Sequence, residues 1–134
     1  LTQKEKQPSE IISDFIELMK TAQEQYKNNK SKCEELDSFD RTVYWKHSFE
    51  FATNKAERNK LGTALQRERQ ERRGYKDVVD LYKTINDFAH CENNKPTLKR
   101  LNTLLSMQSK QEEYLSSDRH YKGEGGDLSG TDNN

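Results

Sequence analysis

The chain has 134 residues, of which 34% are charged and 30% hydrophobic, at a mean hydropathy of −1.26. This is the length of one domain, with little apolar material for a core. Lys plus Arg total 23 and Asp plus Glu total 23, so no global field draws the chain onto nucleic acid or an anionic membrane, and such binding would need a local patch.

The composition favours an all-α fold, because a helix need bury only one stripe, whereas a sandwich needs more β-branched residues and turns. Six Gly and two Pro are present, and most of the Gly lie near the C-terminus. No apolar leader opens the chain and no run of about 20 apolar residues occurs, so neither a signal peptide nor a membrane span is expected. An intracellular, reducing setting follows as the expectation, with Cys33 and Cys91 as free thiols and a Cys33–Cys91 disulfide as the less favoured alternative.

Residues 1–8 read as a frayed N-terminus, followed by one helical domain over 9–116. Ser9, after Pro8, is a candidate N-cap for the first helix. Ile11, Ile12, Phe15, Leu18, Met19, Ala22 and Tyr26 then form a stripe at helical period, and Asn28-Asn29 is expected to end or bend it.

A second helix is predicted over about 31–52, its stripe running through Cys33, Leu36, Phe39 or Asp40, Val43, Tyr44, His47 and Phe51. That phase turns Trp45 and Phe49 away from the stripe, towards a second contact surface.

Thr53 or Asn54 can cap a third helix over about 55–90, which at 1.5 Å per residue would be ~54 Å long. Ala56, Leu61, Ala64 and Leu65 open its stripe; Tyr75, Val78, Val79, Tyr82, Ile85 and Phe88 close it. Between them, residues 66–74 hold no apolar side chain, and Gly74 is the natural place for a bend. So long a helix needs a partner along its length, which predicts an antiparallel hairpin with the second helix. Asn93-Asn94-Lys95-Pro96 breaks the chain, and Pro96 suits the first turn of a fourth helix over about 96–116, carrying Leu98, Leu101, Leu104, Leu105, Gln108 and Leu115. The Gly-, Ser- and Asp-rich residues 117–134 are expected to be a disordered tail.

Three polar constellations invite a chemical reading. Between Lys55 and Asp77, eight basic residues face four acidic ones, a local net charge of +4. Arg67, Arg69, Arg72, Arg73 and Lys76 could grip phosphates, but Glu68 and Glu71 interleave them at i, i+3 and i+4, the pattern of a self-compensating solvated helix. Asp40, His47 and Glu50 could form a structural polar network facing these arginines. His47-x-x-Glu50 is also a metal-ligand spacing, yet a carboxylate-bridged centre needs a second such motif, and the chain has none. His90-Cys91 has the residue types of a nucleophile and a base, but adjacent residues on a helix point apart. With no glycine-rich phosphate loop, CxxC pair or HExxH, no enzymatic activity and no cofactor are expected.

Residues 43–77 carry His47, Glu50 and Phe51, then Ala56, then Lys60, Leu61 and Leu65, then Arg69, Glu71, Arg72, Arg73, Lys76 and Asp77. In this order and spacing they resemble a family of small helical proteins encoded by phages and prophages of Gram-positive bacteria. Tyr44-Trp45-Lys46 stands where that pattern has aliphatic residues. The resemblance implies a helical accessory protein in the bacterial cytoplasm, with no activity to carry over.

The expectation is therefore an all-α helical hairpin or small bundle of about four helices that binds a protein partner, a second copy of itself among the candidates. Trp45, Phe49 and Tyr82 are the candidate anchors, since interfaces favour Trp and Tyr. The alternative is nucleic-acid binding through the basic 67–76 segment.

Overall fold

The computed structural model describes residues 5–117 and is all-α, with no strand among them. Its elements are α1 (Pro8–Leu36), α2 (Phe39–Glu50), α3 (Lys55–His90) and α4 (Lys95–Ser116). The expected tail lies almost wholly outside the described residues, as do residues 1–4 of the expected frayed end.

The first helix starts one residue earlier than its predicted cap. Gln7 is the N-cap, Pro8 takes the first turn, and the Gln7 backbone N–H donates to Glu10 Oε1 at 2.7 Å. Ser9 has another task. Its backbone N–H, one of the unpaired donors of the first turn, donates to Glu112 Oε2 of α4 at 2.8 Å, and its hydroxyl donates to the other carboxylate oxygen.

The helix does not end at Asn28-Asn29. Asn29 Nδ2 donates to the Gln25 backbone oxygen at 2.8 Å, so its amide is satisfied within the helix and α1 continues to Leu36. The break falls at Asp37-Ser38, where Ser38 Oγ accepts the Arg41 backbone N–H at 3.2 Å and starts α2.

Asn54 caps α3 as expected, its Oδ1 accepting the Glu57 N–H at 2.9 Å while Glu57 accepts the Thr53 N–H at 2.7 Å. The 36-residue α3 runs unbroken through Gly74. Asn94 Nδ2 closes its far end by donating to the Phe88 carbonyl at 3.0 Å, and Pro96 lies in the first turn of α4.

Residue pairing runs antiparallel from one end to the other. Ser9 meets Glu112, Cys33 Sγ lies 3.9 Å from the Arg72 carbonyl oxygen, Asp37 meets Arg72, and Arg41 and Trp45 both meet Glu68. One arm of the hairpin is therefore α1 followed by α2, and the other is α3 followed by α4. The two breaks do not face each other. Asp37-Ser38 lies against the middle of α3, whereas the 91–94 break lies against α1 near Met19 and Gln23.

The core is a narrow seam. Met19, Ala22 and Cys33 of α1 are buried, with Ala52 of the second link and Val79, Asn86 and Ala89 of α3. No large side chain is fully buried among the described residues. This follows from the architecture, since a hairpin is one layer and a layer shelters only the edges it turns inward.

Candidate interaction surface

Most of the large apolar residues left outside the seam follow a rule. Ile11, Phe15 and Leu18 of α1 are exposed, and each directly precedes a packed or half-packed residue, namely Ile12, Ile16 and Met19. The same holds for Tyr44 before Trp45, Leu81 before Tyr82, Phe88 before Ala89, Leu104 before Leu105 and Met107 before Gln108, while Phe51 and Leu115 lie about two and three turns beyond Tyr44 and Leu104 on the same faces.

One residue back along an α-helix is a rotation of about 100° away from the seam. In two antiparallel helices that backward rotation turns both sets of side chains to the same side of the pair. These residues therefore lie on one common side of the hairpin in two groups, Tyr44 and Phe51 at the α2 end and the others from Leu18 and Leu81 towards the α4 end. Phe51, at 73% exposed, and Met107, at 64%, are among the most open of them. The opposite side carries Lys20, Gln23, Lys99 and Asn102, which edge a shallow groove where α1 passes the α3–α4 break.

At the α2 end the packing is polar and aromatic. Glu68 accepts a hydrogen bond from Trp45 Nε1 at 2.8 Å and an ion pair from Arg41, and its side chain is only 16% exposed. Burial alone would raise the Glu68 carboxyl, but the bonds from Arg41 and Trp45 and the Arg41 charge outweigh it, and the pKa is lowered. The Arg41 guanidinium lies 4.6 Å from the Tyr44 ring centroid and 5.6 Å from that of Trp45. Phe49 is half-buried with its ring centroid 6.3 Å from Trp45, and His47 stacks on Phe51 at 5.7 Å.

Several residues picked from the sequence thus occupy other roles. Trp45, Phe49 and Tyr82 are not open anchors: all three are half-buried, Trp45 bonds Glu68, and Tyr82 lies on the packed stripe of α3. The cause is the phase of α2. The Asp37-Ser38 break resets it, so Arg41, Trp45, Ser48 and Phe49 turn inward while Phe39, Tyr44 and Phe51 turn out.

Asp40, His47 and Glu50 do not form a network; all three are exposed and none bonds another. The polar ties that do hold this end are Arg41–Glu68–Trp45 and Asp37–Arg72. Arg41 and Asp37 escaped the sequence reading because their partners are fixed only once the arms pair.

The basic segment is divided. Arg72 Nε and Nη2 donate to the two Asp37 carboxylate oxygens at 2.6 and 2.9 Å, lowering the Asp37 pKa through that hydrogen bond, and Lys76 pairs with Asp80 at 2.8 Å. Arg67, Arg69 and Arg73 are exposed and make no ion pair with a described residue. Arg69 and Arg73 lie one turn apart on one side of α3, with Arg67 on another.

Among the described residues, no group of three or more His, Cys, Asp or Glu side chains is placed to hold a metal ion, and no helix is long and apolar enough to cross a membrane. Cys33 is buried against α3 and Cys91 is exposed at the end of that helix, and both are free. Fold and surface together describe an all-α hairpin with one uncovered apolar side. Comparison with protein-family models, curated proteins and solved structures finds no match to this chain.

Proposed function

We propose that the chain is a helical protein–protein interaction module that binds through the apolar side of its hairpin. The observation that carries this reading is the row of exposed Ile, Leu, Met, Phe and Tyr side chains on one side of both arms. Scattered apolar residues are ordinary on a protein surface, but large ones gathered on one side in two groups mark a contact surface. The helix-in-groove and helix-on-helix modes of recognition use such rows at i, i+3, i+4 and i+7 spacing.

The resemblance of residues 43–77 to small phage proteins supplies a setting: an accessory protein in a bacterial cytoplasm, acting on a host factor or a defence component. Tyr44 and Phe51, with His47 stacked on Phe51, form the aromatic end of this surface. Affinity capture from host extract tests the reading, with Tyr44→Lys plus Phe51→Lys as the comparison. A protein retained by the natural chain and lost by the variant is expected; identical capture by both would count against the surface.

A second reading, nucleic-acid binding, has one observation in its favour: Arg69 and Arg73 share a side of α3 and engage no described carboxylate. It predicts a gel shift that weakens steeply with salt and is lost in Arg69→Ala plus Arg73→Ala. No shift at low ionic strength would remove it.

A further inference from the structure

We infer that the occupant of the apolar side, at the end built from α1, α4 and the last turns of α3, is a second copy of this chain. The inference rests on the interaction reading above and commits it to one partner.

Three observations point the same way. The first is area. Ile11, Phe15, Leu18, Leu81, Phe88, Leu104, Met107 and Leu115 keep between 39% and 68% of their surface exposed. At about 200 Å² per large side chain this is on the order of 800 Å², which is what one partner contributes to a standard stable interface.

The second is architecture. A single layer of helices shelters its apolar edges only on one side, and the least demanding second layer is another identical layer, related by a two-fold axis that sets the same patch against itself. A chain with 23 basic and 23 acidic residues meets its own copy without net repulsion.

The third concerns the two segments that flank the described residues. Residues 118–134 contain Tyr121 and Leu128 as their only large apolar side chains, and residues 1–4 contain only Leu1. Neither segment has the apolar surface to cover eight such residues.

The test is light scattering after size exclusion on the full chain across the micromolar range. The expected mass is twice the 15.8 kDa of one chain. Phe15→Glu with Leu104→Glu should give a monomer, whereas Phe39→Glu, which changes the 79% exposed Phe39 off this side, should leave the dimer intact. Should the double variant fail to fold, Met107→Glu alone must lower the dimer fraction, and the melting temperature of the natural chain must rise with its concentration.

A monomeric natural chain, or a dimer unchanged by charges at Phe15, Leu104 and Met107, overturns the inference. Dye binding separates its failure from that of the broader reading. A monomer that binds a hydrophobic dye, and loses it on Phe15→Glu with Leu104→Glu, removes the second copy but leaves the interaction surface standing. A monomer that binds no dye removes both.

Discussion

Glu68 is the residue on which the α2 end turns. It is mostly shielded from water and bonds both the Trp45 indole and one terminal nitrogen of the Arg41 guanidinium. Replacing it by Ala strands two half-buried donors, and a loss of about 1–3 kcal/mol in chemical denaturation is expected. Arg41 has little slack to compensate, since its Nε is already buried without a partner.

The pH dependence follows from the same carboxylates. Glu68, Asp37 and Glu112 all have lowered folded pKa values: burial opposes the hydrogen bonds and Arg41 charge at Glu68, the Arg72 bond acts at Asp37, and the Ser9 hydroxyl bond acts at Glu112. A group lowered on folding contributes stability that is complete above its unfolded pKa and is lost as pH falls through the folded one. Denaturation midpoints should therefore fall between about pH 5 and pH 3, less steeply in Glu68→Gln. An unchanged slope in that variant would assign the acid sensitivity to other groups. Most of the remaining ion pairs are exposed, and each is worth little.

At the scale of elements, α2 is the weakly held piece. It is 12 residues long, has no buried residue of its own, and packs on α3 alone among the longer helices to any extent. Its amides should exchange with solvent faster than those in the middle of α1 and α3, and faster still in Glu68→Ala. Equal protection in all three helices would refute this. The opposite case is Gly74, inside α3 with open space around the position of a side chain. Gly74→Ala should raise stability by about 1 kcal/mol, read as a higher melting temperature.

The helices were largely legible before the structure. Apolar spacing located α3 and α4 within a residue at each end, because Asn54, Pro96 and the polar 91–94 link are strong local punctuation. The α1–α2 boundary was not legible. Asn28-Asn29 looks like a stop and is not, because Asn29 bonds backward along the helix, while the true break has only Asp37 and the cap of Ser38 to announce it. Misplacing it carried the stripe of α1 into α2 without the change of phase, which put Tyr44 and Phe51 inside and Trp45 outside. The apolar surface was hidden for a related reason: residues such as Ile11 and Ile12 both match a helical stripe, and only the pairing of two arms decides which is covered.

At the scale of the whole molecule, the two arms are joined as a carpenter scarfs two boards. The gap after Leu36 is spanned by uninterrupted α3, and the gap after His90 is spanned by uninterrupted α1. Counted along α3 from Arg72 to Cys91, the two joints are offset by roughly 28 Å at 1.5 Å per residue. No single cross-section passes through both, so folding the rod at either place would require bending a continuous helix as well. The Phe51 end and the Met107 end are thereby kept a set distance apart, as two marks on a ruler are.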